Sequence, residues 1–419
     1  MKNRHLIIIG AIIVALLIIW QLLPSAKPKQ EENAPPVGDV PASKAKEYNL
    51  NVGDSTTLDI PVSAGSIIIF AGPPGQVNAI VTKRSLGVDK ESAQRDLEAF
   101  NIEPQQNGDI ISFGNGKNIR PGRQVDYKIT TPPDTTVKVA NGYGNVTING
   151  LRGNVDINGQ NMNITIQDVR GAITIQSETG NVKLTDTTGG LSIQSRTASV
   201  QIDRATGPST LIATGANTTL KDSGADTSAT FRIQKGDLTL TRFRAQTLTA
   251  TVPDGQIRIN ESTAQQAELQ TQDGTINLFR VNAGKLTATT TTGGLTMDQI
   301  QGSLNIKTQK GVVNLTEAAA SALSIAAGAG DVLFYGALPT EGEHSIKTSS
   351  GNISIYIVKE SAFRLDASTK GTITIEPPFV LDSADKGNGH WRGVINQGTT
   401  LLALTSTSGN ILISSDQPF

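Results

Sequence analysis

A short unit recurs through most of this sequence: a glycine, a small or polar residue, an aliphatic residue, a polar residue and a second aliphatic residue. The spacing of its glycines is nine residues, or a multiple of nine, in the first stretch and nineteen residues from Gly236 to Gly293. A fixed period of this kind indicates stacked supersecondary units. The glycines are Gly144, Gly153, Gly171, Gly180, Gly236, Gly255, Gly274, Gly293, Gly302, Gly311, Gly330, Gly351, Gly371 and Gly409.

The triplet after each glycine has the period of a β-strand, because successive side chains of a strand point to opposite faces. A strand this short cannot bury its aliphatic face alone, whereas coils stacked in register bury it and pair their backbones. The pattern therefore predicts an all-β protein, a parallel β-solenoid with about 18–20 residues and two strands per coil. About 14–15 coils at roughly 4.8 Å each would give a body about 70 Å long. We expect each glycine to adopt a positive φ at a sharp corner. The alternative, a twisted antiparallel structure, rarely keeps so strict a period.

The amino terminus carries an apolar run over Leu6–Trp20, preceded by two basic residues and extended by two leucines. About eighteen helical residues span roughly 27 Å, enough for a hydrocarbon core. The following Pro24–Ala26 does not match an A-x-A cleavage site, which favours an uncleaved signal-anchor over a signal peptide. We predict a transmembrane segment over residues 1–23 with the bulk of the chain outside the cytoplasm, followed by a proline-rich linker over 24–46.

Two further regions complete the predicted domain organisation. Residues 47–135 form a small β-rich unit, and residues 136–419 form the solenoid with a carboxy-terminal cap that contains His390–Arg392 and Leu401–Leu404. The unit contains one short helix, Ser92–Phe100, with Ser92 as its N-cap. Its predicted strands are Thr57–Val62, Ser66–Phe70, Asp109–Phe113 and Val125–Thr130.

The exported part resembles the bacterial putative-adhesin family, cell-surface β-strand-repeat proteins that carry a domain of unknown function. The resemblance covers residues 48–415 and rests on the repeated units together with Gly65–Ile69, Val125–Ile129, Pro132–Asp134, Val137–Val139 and the closing Ser408–Ile413. It implies a β-solenoid in the cell envelope. The family brings no established reaction and no catalytic residues.

Composition and motifs exclude several functional classes. Lysine and arginine number 36 against 37 acidic residues, a net charge of −1, so the basic excess that nucleic-acid binding needs is missing. The chain has no cysteine, and its three histidines, His5, His344 and His390, are far apart. Calcium-binding nonapeptides need a Gly-x-Asp that does not follow the double glycines here. We therefore predict no metal, no cofactor and no catalytic residue.

Two sets of side chains are candidates for contacts with a partner. Asp156 and Asp168 could form a carboxylate pair, although solvated strand-edge carboxylates are the simpler interpretation. A column six residues after the glycines, read as a ladder of exposed pairs or as a recognition strip, contains Arg242, Glu261, Arg280, Gln299 and Glu317. The middle positions of the triplets should face outward, and these are Thr147, Asp156, Thr174, Lys183, Ser192, Thr239, Arg258, Asn277, Thr296 and Asn305.

These features predict a non-enzymatic, membrane-anchored cell-envelope protein that binds or scaffolds. Flat polar β-faces suit repetitive ligands, so a cell-wall polymer or another envelope protein is the expected partner, with envelope-stress sensing as a related role. A carbohydrate-active β-helix enzyme is the alternative, and it requires an acidic or basic cluster in a groove. Assembly into filaments through the coil ends is disfavoured by the imperfect terminal repeats. No residue is assigned to ligand binding.

Overall fold

The computed structural model describes residues 38–53, 55–61, 63–114, 121–338 and 342–415. The predicted signal-anchor over residues 1–23 and the first part of the predicted linker lie outside these ranges. Within them, no helix is both long enough and apolar enough to cross a membrane.

The described chain forms one β-structure of 32 strands with one helix. The amino-terminal elements are β1 Val40–Asn51, β2 Thr57–Ile60, β3 Ser63–Ala71, β4 Gln76–Gly87, α1 Lys90–Ala99, β5 Pro104–Asn107, β6 Ile110–Phe113 and β7 Arg123–Thr131. The long strands that follow are β8 Thr136–Asn149, β9 Val155–Val169, β10 Ile173–Thr188 and β11 Leu191–Thr206.

Shorter strands make up the remaining coils. The middle of the chain contains β12 Ser209–Gly215, β13 Thr218–Lys221, β14 Ser228–Lys235, β15 Leu238–Thr241, β16 Arg244–Val252, β17 Ile257–Asn260, β18 Thr263–Thr271, β19 Ile276–Phe279, β20 Asn282–Thr290, β21 Leu295–Asp298 and β22 Gln301–Thr308. The carboxy-terminal part contains β23 Val313–Ala327, β24 Val332–Ala337, β25 Glu343–Thr348, β26 Ile353–Ile357, β27 Phe363–Thr369, β28 Ile373–Ile375, β29 Asp382–Gly387, β30 His390–Ile395, β31 Leu401–Ser406 and β32 Ile411–Ser414.

From β8 onward the strands pair in parallel, coil on coil, except for the terminal hairpin β29–β30, and this confirms the predicted solenoid of about 19-residue coils. One buried column shows the repeat, because each member pairs with the equivalent residue of the neighbouring coil. In spatial order it runs Val146, Ile164, Val182, Val200, Thr218, Leu238, Ile257, Ile276, Leu295, Val313, Val332, Ile353, Ile411 and Ile373. Stacking these aliphatic columns produces one continuous core along the molecule.

The amino-terminal unit continues the solenoid. Strands β2 and β3 pair in parallel with β8 and so form its first coil. Strand β3 continues through β7 to β4 and β1, and the last two pairings are antiparallel. Residues 40–46, predicted as linker, lie in β1, where pairing with β4 satisfies their backbone groups.

The helix differs in its start from the prediction. It covers Lys90–Ala99, and its N-cap is Asp89, whose carboxylate accepts a hydrogen bond from the Ser92 amide at 2.7 Å. The Ser92 hydroxyl interacts in return with the Asp89 backbone, which completes a capping box. Ser92 is therefore the third helical residue, and the prediction that it caps the helix is wrong. Ala93 and Leu97 are the buried face, as expected.

The expected positive φ is found at some corner glycines, Gly144, Gly180, Gly236 and Gly302, but not at all of them. The expectation of a left-handed conformation is wrong for Gly255, Gly274 and Gly293, which are absent from the residues with positive φ. A Cβ atom at these three positions would lie 1.9, 1.7 and 1.5 Å from the carbonyl oxygen of the corner glycine in the preceding coil. Only glycine lets successive coils approach so closely at this corner. In the nine-residue stretch a second glycine column, including Gly153 and Gly171, meets the same constraint at another corner.

Hydroxyl side chains satisfy the backbone at these glycine corners. The buried Thr290 hydroxyl donates to the Gly274 carbonyl at 3.2 Å and accepts from the Gly293 amide at 3.1 Å. Thr348 and Ser406 make the equivalent pairs of bonds in later coils. Threonine and serine are therefore core residues of this fold, because their hydroxyls bridge two coils.

The left-handed corner lies six residues after the glycine and carries no glycine in most coils. Nine residues in one column have φ between 48° and 56°: Asp168, Asp186, Arg204, Asp222, Arg242, Glu261, Arg280, Gln299 and Glu317. Such values are uncommon for residues with a side chain. The predicted charged column therefore coincides with the sharpest corner of the coil.

The carboxy-terminal coils are not in sequence order. Strand β31 pairs with β25 on one edge and with β27 on the other, and β32 lies in the same way between β26 and β28. The prediction that Leu401–Leu404 belongs to the cap is wrong, since Leu402 and Leu404 are fully buried in this inserted coil. The hairpin β29–β30, which contains His390–Arg392, pairs with β27 and closes the end. Phe379 packs edge-to-face on Phe363, with ring centroids 6.5 Å apart.

Replacing Gly293 by alanine should destabilise the central coils, by about 1–3 kcal/mol, because the new Cβ would clash with the Gly274 carbonyl. The measurement is thermal unfolding of the purified protein. Gly190→Ala is the matched control, since its Cβ would meet nothing closer than 3.9 Å, in Pro208. Equal melting curves for the two variants would contradict the close-approach explanation.

Removing residues 398–419 should unfold the last part of the solenoid, because β25 and β27 would both lose their neighbour β31. Hydrogen exchange followed by mass spectrometry should show lost protection over residues 343–395. Protection over residues 155–308 serves as the internal control and should persist, since solenoid coils contact mainly their neighbours. Retained protection over residues 363–375 would argue against the inserted coil.

Candidate binding faces

Each coil presents two outward surfaces, which we name by the residue in the middle of each strand. Face A is the surface with the column Lys138, Asp156, Thr174, Ser192, Thr210, Thr230, Thr249, Glu268, Thr287, Asn305 and Ser324. Face B is the surface with the column Thr147, Thr165, Lys183, Gln201, Thr219, Thr239, Arg258, Asn277, Thr296, Asn314 and Leu333.

The ten side chains predicted to face outward are all exposed or half-buried, so that prediction is confirmed. They divide between the two surfaces, because the nine-residue unit alternates from one face to the other. Asp156, Thr174, Ser192 and Asn305 lie on face A, and the other six lie on face B. Asp156 and Asp168 belong to different parts of β9: Asp156 is on face A and Asp168 is at the left-handed corner beyond face B. The structure does not bring this carboxylate pair together.

One edge of face B is a column of asparagine and aspartate residues, here called the Asx column. Its side-chain oxygens accept hydrogen bonds from the next coil: Asn163 Oδ1 accepts from the Asn181 amide at 3.2 Å, and Asp237 Oδ1 accepts from the Gln256 amide at 2.9 Å. These bonds hold the side chains in line with the solenoid axis. The column consists of Asn145, Asn163, Asn181, Asn217, Asp237, Asp331, Asn352 and Asn410.

The opposite edge of face B is the left-handed column, whose side chains form a charge ladder. Arg204 binds Asp186 with two hydrogen bonds of 2.6 and 2.9 Å, and Arg242 binds Asp222 in the same bidentate manner. Glu261 continues the ladder between two arginines, 3.8 Å from Arg242 and 3.4 Å from the arginine of the next coil. The stacking register predicted from the sequence is thereby confirmed.

The last two residues of the ladder are the uncharged Gln299 and the acidic Glu317. Arg280 Nε donates to the Gln299 amide oxygen at 2.9 Å, and the Gln299 amide nitrogen donates to Glu317 at 2.7 Å. These contacts fix the glutamine orientation, because its oxygen must face the guanidinium and its nitrogen the carboxylate.

The ion pairs of the ladder lower the pKa values of two of its carboxyl groups. The hydrogen bond from Arg204 holds the pKa of Asp186 below its usual value, and the bond from Arg242 does the same for the pKa of Asp222. Most of the charge along this edge is therefore paired within the molecule, so the ladder supports coil stacking and offers few open groups to a ligand.

Face B is polar in the middle of the solenoid and less polar toward its carboxy-terminal end. Leu333, Tyr335, Tyr356 and Leu412 are half-buried and outward-facing, and the two tyrosines lie side by side on adjacent coils. An aromatic and aliphatic patch of this kind, within a hydroxyl and amide surface, can contact the apolar faces of a polymer as well as its polar groups.

The two histidines of the described chain lie apart. His344 is buried in a column of leucines, where its Nδ1 accepts a hydrogen bond from the Leu323 amide at 3.3 Å. His390 contacts Asp366 at 2.8 Å on the closing hairpin. Partial burial alone would raise the pKa of Asp366, but His390 and Arg392 together hold it below its usual value. No group of three or more histidine, aspartate or glutamate side chains within the described ranges could hold a metal ion.

Comparison with known proteins gives a family match. The family model described as Toastrack DUF4097 matches residues 76–332 and 281–414. A crystal structure of a putative cell adhesion protein from Clostridium sporogenes ATCC 15579 aligns over 88% of this chain and 99% of that one, with 7% sequence identity and a TM-score of 0.13. A score of this size does not establish a shared fold. No curated protein matches the sequence.

Reversing the charge of Glu261 to lysine should lower the melting temperature in low salt, by on the order of a degree, because it would face Arg242 and Arg280. The loss should shrink in high salt. The measurement is thermal unfolding at two ionic strengths. Glu268→Lys is the control, since Glu268 is exposed on face A and has no ion pair among the described residues. Equal behaviour of the two variants would contradict the ladder.

Proposed function

Because the chain belongs to the Toastrack DUF4097 family, we propose that it is a non-enzymatic cell-envelope protein that binds or scaffolds a repetitive polymer. The resemblance to the putative-adhesin family agrees with this membership. The observation that carries the proposal is face B, an in-register parallel sheet whose outward groups recur once per coil along the whole solenoid. A polymer with a regular repeat can make the same contact at successive coils, so weak contacts add along its length.

Face B is the better candidate of the two surfaces. Both of its edges are held in line, by the Asx column on one side and by the charge ladder on the other. It also extends farther at the amino-terminal end, across β3, β7, β4 and β1. A surface fixed in this way loses little conformational entropy on binding.

The anchor and the location are part of the same proposal. The predicted transmembrane segment over residues 1–23 would hold the protein in the cell membrane with the solenoid outside the cytoplasm. Strand β1 begins at Val40, so the linker would bring the amino-terminal coils nearest to the membrane and direct the hairpin cap away from it. A scaffold or an adhesin would need a solenoid that extends away from the membrane, and an envelope-stress sensor would use face B as well.

The alternative of a carbohydrate-active enzyme needs two carboxyl groups flanking a scissile bond. Asp156 and Asp168, the pair that the sequence suggested, lie on different surfaces, and Asp186, Asp222 and Glu261 of the charge ladder bind arginines. These observations favour the binding role over the catalytic one.

The test is retention of the full-length protein, in detergent, by purified cell-wall polymers and by membrane extract. We expect retention by a wall polymer, lowered at least tenfold by the pair Thr219→Arg and Thr239→Arg on face B. The matched control is Thr210→Arg with Thr230→Arg, which changes the same coils on face A. Retention by no wall polymer would overturn the proposal, and retention of a membrane protein alone would replace it by a sensor role. Equal loss in both pairs would reject face B as the contact.

A further inference from the structure

A groove of about 420 Å³ lies at the amino-terminal end of face B, where β3, β7 and β4 adjoin. The lining residues form three rows of the sheet. In the row at one end Lys128 is paired with Ile68 on one side and with Ile80 on the other, and Asp126 and Thr82 are paired in the middle row. Lys128 is exposed and has no hydrogen bond or ion pair within the part of the chain that the structure describes. Ile80 keeps 40% of its surface exposed. The groove thus places an open ammonium group between two apolar walls.

The middle row of the groove holds a fixed carboxylate, and the row at its other end holds a second cation. Arg84 is 2.9 Å from Asp126 Oδ2, and Asp126 Oδ1 accepts hydrogen bonds from the Ser66 amide at 2.9 Å and from the Gln124 side chain at 3.1 Å. These bonds immobilise Asp126 and compensate the charge of Arg84. Among the residues that line the groove, the charge that remains for a ligand is that of Lys128, a single positive charge. The exposed Glu47 lies beyond Ile80 in the same row, outside the lining.

We propose that this groove binds a carboxylate-bearing sugar of the envelope polymer, an inference that rests on the proposed function. Charge complementarity selects the ligand, because one open cation in a groove of this size suits one anionic group. The carboxylate would bind Lys128, the apolar face of the sugar ring would pack on Ile68 and Ile80, and its hydroxyls would reach Thr82 and Gln124. The groove would then fix the end of a polymer that runs along face B.

A second lysine shows why the row position alone does not make this site. Lys183 lies in the same row of face B, and it is exposed and without an ion pair among the described residues. Its cross-strand neighbours are Thr165 and Gln201, which offer no apolar walls. The combination of cation and apolar walls is therefore found at Lys128 and is missing at Lys183.

The experiment is calorimetric titration of the full-length protein in detergent with a trisaccharide of galacturonic acid and with the neutral galactose trisaccharide. We expect binding of the acidic sugar that is at least tenfold tighter than binding of the neutral one, and that weakens with added salt. Lys128→Gln should lower the affinity for the acidic trisaccharide about tenfold, since it removes one charge-assisted contact. Lys183→Gln is the matched control and should bind as the wild-type protein does.

The outcomes separate this inference from the proposed function. Equal affinity of Lys128→Gln and wild type, or equal affinity for acidic and neutral sugars, overturns the groove assignment, and retention of the wild type by a wall polymer would then still support the function. Failure of the wild type to bind any wall polymer overturns both. Ile80→Thr adds a second measure, because it leaves the charge in place and should also weaken binding if the sugar packs on that wall.

Discussion

The structure depends on the hydrogen bonding of each coil to the coils on either side of it. A coil of about 19 residues contains strands too short to be stable alone, so its backbone groups and its aliphatic side chains find partners only in neighbouring coils. This stacking requires that the backbones approach at every corner without obstruction. Gly255, Gly274 and Gly293 meet that requirement in the central coils, since a Cβ atom there would collide with the carbonyl of the preceding coil. Hydroxyl groups such as that of Thr290 then satisfy the backbone atoms that the corner leaves unpaired.

The same stacking turns single residues into columns, and the columns give the molecule its surfaces. The Asx column and the charge ladder are lines of like positions in which each side chain is held by the next coil. The side chains of both columns bind other groups of the protein. The outward side chains of face B between the two columns are therefore the groups available to a partner. The ends of the solenoid differ from its middle: the amino-terminal end carries a groove around Lys128, and the other end carries tyrosines and leucines. A rigid, regular surface with distinct ends supports the proposed binding role.

The two ends of the solenoid are also closed in different ways. At the amino terminus the antiparallel strands β4 and β1 extend the sheet, and the outermost strand carries Pro41, Lys44 and Lys46, which discourage further strand pairing. At the other end of the described chain, β27 does not pair with β25. The chain first forms the hairpin β29–β30 on the outer edge of β27, and β31 then fills the space between β25 and β27. Among the described residues, β1 at one end and β29 at the other each pair with a single strand.

The sequence by itself determined the solenoid, its period and the charged column, since glycine spacing and the aliphatic–polar–aliphatic triplet are local and repeat strictly. It also placed the outward residues correctly, because strand periodicity fixes which side chains leave the core. Three features were decided by tertiary structure alone. The sequence of Leu401–Leu404 is compatible with a coil strand and with a cap. Its pairing with both β25 and β27 shows that it lies within the stack of coils. The left-handed conformation at Glu261 lies six residues after Gly255, the residue at which a positive φ was expected, and no local pattern of the sequence indicated it. The groove at Lys128 joins β3, β7 and β4, which are far apart in the chain, so no local pattern could reveal it.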